Sequence, residues 1–211
     1  MTAPAPDSRW PHTGVILAGG HSRRMGRAKA TLPLAAGGTL IEAVHEIMAE
    51  VCAKLVISGT TDALPSLARV TDERAGAGPL AGIEAVLASN HDEEYLFCPC
   101  DMPVIDPATL RRLLAPTARG ASVLHVEGET HPRPLPARFA AAALPVVRAT
   151  LDEGRRAVHQ ALDRLVVEII PVPSAVAGSL VNVNTPDEYR DVSQRIHRGG
   201  PRRAADPDPE S

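Results

Sequence analysis

Apolar residues along this chain gather into short runs, and between most of the runs they recur at helical spacing. Residues 13 to 18 (TGVILA) form an apolar run closed by glycines, which predicts a buried strand. A stripe at Leu40, Ile41, Val44, Ile47, Met48 and Val51 predicts an amphipathic helix, opened by a capping box of Thr39 and Glu42. Further apolar runs predict strands over 54–58, 95–98, 121–126, 134–139, 166–172 and 180–183, with a short one at 66–71. Helices are expected from Pro79 to about Ser89, from the N-cap Asp106 and Pro107 through Leu114, and over 140–152 and 155–164. A second capping box, Thr185 with Glu188, opens a last helix to about residue 197. Strands alternating with helices predict an α/β fold: one domain, a mostly parallel sheet, helices on both faces. In such sheets ligands sit beyond the carboxyl ends of the strands.

The pattern stops at both ends. Residues 1–12 and 198–211 are rich in Pro, Gly and polar residues, so flexible ends are expected around one domain at 13–197. With 211 residues, a single sizeable core suffices. Only 2% of residues are aromatic, so Ala, Val, Leu and Ile must build that core, and a single-stranded nucleic-acid binder would lack stacking faces. A net charge of −3 and a pI near 6.2 give no general attraction for DNA or membranes. Cys52, Cys98 and Cys100 complete neither a disulfide framework nor a zinc set and read as small buried hydrophobes. No run approaches 18 apolar residues and the start lacks a signal pattern, so a cytoplasmic protein is expected, with neither membrane nor nucleic acid as partner.

Charge changes the picture at one place. The first strand runs into a loop, "AGGHSRRMGRAK" (18 to 29), that lies at the ligand edge. Gly19 and Gly20 allow backbone N–H groups to approach an anion closely, and Arg23, Arg24 and Lys29 add charge suited to a polyphosphate. The spacing matches neither the Walker A loop nor the G-x-G-x-x-G dinucleotide pattern. All but two of the 22 basic residues are arginine, which makes the lysine in this loop notable. Asp101 directly follows a predicted strand and stands at the same edge. Mg²⁺ prefers few carboxylates with phosphate oxygens and water, so one such Asp can hold a metal–triphosphate. Asn182 and Asn184, read as alternate residues of a strand, would offer two amides to one face.

"LAGGHSRRMGRAK" (17 to 29) resembles the signature loop of the MobA-like nucleotidyltransferases. "GPLAGI" (78 to 83), "FCPCDMP" (97 to 103), "HPRPLPARF" (131 to 139), "GRRAVHQAL" (154 to 162) and "VNVNTPDEY" (181 to 189) follow in the order of the molybdenum cofactor guanylyltransferases of that family. The resemblance implies a Rossmann-like, nucleotide-diphospho-sugar transferase-like fold. It also implies transfer of GMP from GTP to the terminal phosphate of Mo-molybdopterin, with Mg²⁺ held by Asp101. Lys29, Asp101 and Arg23 are implied as catalytic. Leu17, Ala18, Gly19, Gly20, Lys29, Ser58, Asp72, Gly78, Leu80, Gly82 and Asp101 are implied at the nucleotide, with the base read by backbone edges and the Leu-Ala-Gly-Gly opening leaning towards guanine. His131, Arg133, Arg155, Arg156, Asn182 and Asn184 fall on the pterin side. Molybdenum-insertion proteins and molybdoenzyme chaperones are the macromolecular partners this implies. A CTP-dependent enzyme acting on the same pterin and a non-catalytic carrier of molybdopterin or GTP stay open as alternatives.

Overall fold

Seven strands and six helices follow from these runs in a computed structural model that describes residues 9–18, 29–74, 76–114 and 120–199. The strands are β1 (Trp10–Leu17), β2 (Cys52–Ser58), β3 (Ala68–Val70), β4 (Glu94–Pro99), β5 (Ala121–Val126), β6 (Arg133–Ala140) and β7 (Val167–Val172). The helices are α1 (Leu40–Val51), α2 (Pro79–Ala88), α3 (Pro107–Arg112), α4 (Leu144–Asp152), α5 (Val158–Leu162) and α6 (Pro186–Gly199). Short 3-10 turns at Lys29–Thr31, Ala141–Ala143 and Ser174–Ser179 complete the path. All strands lie in one sheet of order β3-β2-β1-β4-β6-β5-β7. Every neighbouring pair is parallel except those made by β6, which runs antiparallel between β4 and β5.

Local signals set the helix starts. Thr39 donates its backbone N–H to the Glu42 carboxylate at 2.8 Å, and Asp106 accepts from the N–H groups of Ala108 and Thr109. The Thr185–Glu188 pair is reciprocal: each residue's side chain receives the other's backbone N–H, at 2.8 and 3.2 Å. Each apolar face then finds a layer. Ile41, Val44, Met48 and Val51 of α1 and Leu110 of α3 pack on one face of the sheet, with Ile16, Ile57, Leu96 and Leu124. Leu80, Ile83, Val86 and Leu87 of α2 pack on the other with Val147, Leu151 and Val158 of α4 and α5. Burying one such side chain contributes about 1.5–3 kcal/mol. Tyr95, Phe97 and Phe139 sit mid-sheet, where Phe97 and Phe139 meet edge to face at 5.7 Å.

Four expectations are corrected. The N-terminal segment does not stay unstructured to residue 12, because β1 already begins at Trp10 and pairs with Cys52 of β2. Residues 198 and 199 belong to α6 rather than to the tail. The run at 180–183 is not a strand: no strand lies beside it, and Leu180 and Val183 point into two different apolar clusters. The expected helix over 155–164 is only α5, since Gly154 at φ +78° and the segment after it form a turn. One charge went unforeseen. Arg138 of β6 is fully buried, donating to Ser122 Oγ and ion-paired with Glu94 at 3.0 Å.

Candidate active site

The carboxyl edge collects the residues the sequence singled out. Where β4 ends, the Cys100 N–H donates to the Leu17 carbonyl at 3.1 Å, so the ends of β1 and β4 stay side by side. Asp101 comes next, and its carbonyl accepts the N–H of Val183 at 2.9 Å, which draws the segment 180–184 across the same edge. Lys29 opens its 3-10 turn from the far side of the opening loop. Its Nζ donates to Asp101 Oδ2 at 2.5 Å and to Asn184 Oδ1 at 2.9 Å. Asn182 Nδ2 donates to the other Asp101 oxygen at 3.3 Å. The Lys29 and Asp101 side chains are each 14% exposed, enough to be reached and too little to be fully screened by water. Four side chains from three distant stretches thus form one cluster.

Beside it lies the first turn of α2. The Ala18 N–H donates to the Ser58 carbonyl at 2.8 Å, and Ser58 itself is buried at the end of β2. A Cβ on Gly82 would stand 2.5 Å from Ser58 Oγ and 3.3 Å from Leu17, so only glycine lets α2 approach this closely. Gly78, the N-cap, holds φ +75° and offers no side-chain cap, leaving the helix N-terminus suited to an anion or a base edge. The Leu80 side chain is fully buried in the core, which leaves its backbone as the part able to serve a nucleotide. Asp72 stands half-buried just past β3.

The residues expected on the pterin side divide. Asn182 and Asn184 are at the cluster, on an irregular segment rather than a strand. Arg156 is exposed, and its carbonyl lies 3.7 Å from where a Gly78 Cβ would be, so its loop flanks α2. A cavity of about 200 Å³ opens there between Arg74, Ala77, Leu151, Gly154 and Arg156. Arg155 leans to Glu153 at 3.5 Å, and His131 is exposed on the turn between β5 and β6. Arg133 is engaged with Glu129 and the Leu180 carbonyl, so it is not an open anion receptor. Gly19, Gly20, Arg23 and Arg24 lie outside the described residues. Sequence reading missed Glu129 and took Glu188 for a helix cap alone. Their signals were available: an acid four residues before Arg133 across a turn, and the capping glutamate whose carboxylate also takes the Asn184 N–H at 2.7 Å.

Electrostatics assign the neighbouring thiols a passive part. Burial, with the Asp101 charge behind it, pushes the Cys100 thiol up to about 12, and burial alone takes Cys52 to about 12. Neither can be a thiolate at neutral pH, so they are core atoms as expected. Among the described residues no group of three or more His, Cys, Asp or Glu side chains could hold a metal ion. A lone carboxylate with two amides beside it suits a hard cation that brings phosphate oxygens and water as its other ligands. It does not suit a metal caged by protein alone.

A mostly parallel sheet, a helix N-terminus at its carboxyl edge and a Lys–Asp pair beside it define an α/β enzyme of nucleotidyl transfer. The chain belongs to the MobA-like NTP transferase domain family, whose model matches residues 14–166. It is 34% identical over 194 residues to a molybdenum cofactor guanylyltransferase of Xanthomonas euvesicatoria pv. vesicatoria, across 89% of this chain and 95% of that protein. Among solved structures it resembles the molybdopterin-guanine dinucleotide biosynthesis protein A of Archaeoglobus fulgidus, with a TM-score of 0.70 and 24% identity. That likeness covers 89% of this chain and all of the other. The fold is shared, at TM-score 0.59 and 22% identity, with Rv0371c of Mycobacterium tuberculosis, solved in complex with manganese; 89% of this chain and 100% of that one are covered. Among the described residues no helix is long and apolar enough to cross a membrane.

Proposed function

We propose that residues 10–199, the expected 13–197 widened by the start of β1 and the end of α6, form one catalytic domain that transfers GMP from GTP to the terminal phosphate of Mo-molybdopterin and releases pyrophosphate. The observation that carries this is the meeting of Lys29, Asp101, Asn182 and Asn184 at the carboxyl edge, beside the uncapped start of α2. The guanylyltransferase relatives support the choice of base and acceptor.

The acceptor phosphate is already an anion, so the reaction needs no side-chain nucleophile. An acceptor oxygen bonds to the α-phosphorus while the α–β anhydride bond breaks, and the electron pair leaves with pyrophosphate. Lys29 has three N–H donors, and Asp101 and Asn184 take two of them, so a phosphate oxygen can join without displacing either. When the triphosphate binds, that ammonium can shift from the carboxylate to the phosphates on its flexible stem, where it offsets the charge that builds on the leaving group. Asp101 is then freed to face a cation. Mg²⁺ would be held by Asp101 together with phosphate oxygens and would neutralise the triphosphate charge. Asn182 and Asn184 orient the acceptor with neutral amides, and Arg23 of the opening loop is assigned to the pyrophosphate. Backbone groups of Leu17, Ala18, Gly19, Gly20, Gly78, Leu80 and Gly82 are assigned to reading the base, with Ser58 and Asp72 assigned to the nucleotide beside them. His131, Arg155 and Arg156 lie on the acceptor's side. Three free cysteines accord with work in the reducing cytoplasm, beside the molybdenum-insertion proteins and molybdoenzyme chaperones that handle this cofactor.

The test is turnover of each nucleoside triphosphate with Mo-molybdopterin and Mg²⁺, followed by pyrophosphate release. GTP is expected to be preferred over CTP by at least about tenfold in kcat/KM. Equal turnover with CTP gives the cytidylyltransferase reading, and binding without pyrophosphate release gives the carrier.

A further inference from the structure

The segment that presents Asn182 and Asn184 is not held by a sheet, yet both amides must stay in register with Asp101 and Lys29. Its backbone is fastened at its far end by Glu188, which takes the N–H groups of Asn184 and Thr185 at 2.7 and 2.8 Å. In the middle, Val183 donates to Asp101. At its near end, two residues before Asn182, the Leu180 carbonyl accepts from an Nη1 hydrogen of Arg133. The guanidinium in turn is gripped from its other side: Nε donates to Glu129 Oε2 at 3.0 Å and Nη2 to Oε1 at 2.5 Å. Glu129 is rooted in the β5–β6 turn, where its N–H donates to Val126 and its carbonyl accepts from His125 Nε2 at 2.9 Å.

A guanidinium carries five N–H donors in a rigid plane. Here three of the five are already committed, and the bidentate carboxylate cancels its charge. Such a group makes a poor receiver for a substrate phosphate and a good bracket for a carbonyl. Lysine could not do the same, since it offers a point charge without the planar fork. The Arg133 hydrogen bond, outweighing burial, also holds the Glu129 carboxyl below its ordinary range, so the bracket stays charged through neutral pH.

We infer that Arg133 is a positioning residue, aimed by Glu129, that acts through the Leu180 carbonyl to hold Asn182 and Asn184 against the Lys29–Asp101 pair. The inference rests on the catalytic reading of that cluster and replaces the expectation that Arg133 receives the anionic acceptor.

Three variants, Glu129→Gln, Arg133→Met and Arg133→Lys, separate the two roles. The first readout needs no substrate: backbone hydrogen exchange of a peptide spanning 180–185 should quicken about tenfold in all three, with the other peptides of the sheet unchanged. The second is steady-state kinetics. All three variants should lose about tenfold in kcat, with the KM for Mo-molybdopterin within about threefold of the parent, and the Glu129→Gln/Arg133→Met double variant should lose no more than a single one. A substrate ligand behaves otherwise: Arg133→Met would raise the acceptor KM, Arg133→Lys would retain most binding, and Glu129→Gln, by releasing the guanidinium, would leave or improve it. That pattern overturns the inference, as does unchanged exchange at 180–185. If the parent turns over no GTP, the proposed function fails while the exchange experiment still decides the bracket.

Discussion

Two aspartates flank β4, Asp92 just before it and Asp101 just after, and the chain uses them in opposite ways. At the amino edge, one Asp92 oxygen accepts from Thr13 at 2.9 Å. The other lies 2.6 Å from His12 Nδ1 and takes the Glu93 N–H at 2.8 Å. The Asp92 N–H is also spent, on the Tyr95 hydroxyl at 2.8 Å. Two short side chains of β1 and one backbone N–H supply these contacts, so they are tethered closely to the sheet, and the backbone donor cannot leave without local unfolding. At the carboxyl edge, among the described residues, Asp101 takes its side-chain donors from the Lys29 and Asn182 side chains. Both sit at the ends of rotatable chains and can be exchanged for a ligand while the sheet stays intact. A carboxylate is available for chemistry when its hydrogen bonds come from groups that can move.

The largest effect expected from breaking this contrast is at Asp101. Asp101→Asn should leave a folded protein with turnover down at least about a hundredfold, roughly 2.7 kcal/mol of barrier, because a neutral amide is a poor ligand for a hard cation. A variant retaining more than about a tenth of the parent rate in a pyrophosphate-release assay removes Asp101 from the chemistry.

Asp92→Asn should do the reverse. Turnover per folded molecule stays near the parent's, while stability falls by about 1–3 kcal/mol, since one of the two acceptor oxygens becomes an N–H₂ donor facing other donors. Its pH dependence has a sign. Burial would raise the Asp92 carboxyl, but the bonds from His12, Thr13 and the Glu93 N–H together hold it below its ordinary 3.8. A depressed folded value contributes stability above the unfolded value and loses it as pH falls through the folded one. The parent should therefore lose stability below about pH 4, and the variant should lose less over that range. Parallel acid denaturation curves would show that Asp92 is not the group responsible.

Lys29→Arg tests whether the movable donor must be an ammonium. About tenfold loss in kcat is expected, on the order of 1.4 kcal/mol, with GTP still bound; Lys29→Ala should lose more. Parent-like activity of the arginine variant would reduce position 29 to generic positive charge.

The smallest effect belongs to Thr13→Val. It removes one donor from Asp92 and leaves His12 and the Glu93 N–H in place, so about 1 kcal/mol of stability should be lost without any change in rate. A change in turnover here would mean that the two edges are coupled through β1 and β4.

Much of the architecture was legible because its causes are short-range. The Thr39–Glu42 and Thr185–Glu188 boxes act over three residues, and the apolar stripe of α1 and the run of β1 carry their periods within one element. Asp101 and Lys29 could be named for a like reason, since a charged residue just beyond a buried strand or within a glycine-rich loop stands at a predictable edge. What joins these pieces acts across the chain. Nothing near Lys29 announces that its ammonium will meet a carboxylate 72 positions on and an amide 155 positions on. The reversal of β6 between β4 and β5 is decided by register with both neighbours, and it carries Arg138 into the core beside Ser122. The run at 180–183 has the composition of a strand, and it becomes a fastened loop because it crosses the carboxyl edge, where Val183 is tied to the Asp101 carbonyl, instead of pairing along a strand. Arg133 reads as one more surface cation until the fold brings the Leu180 carbonyl to it. Spacing, capping and burial period in the sequence alone determined most of the elements and marked the chemically able residues. Only tertiary packing decided which of those residues share a hydrogen bond, because that depends on strand order and on groups far apart along the chain.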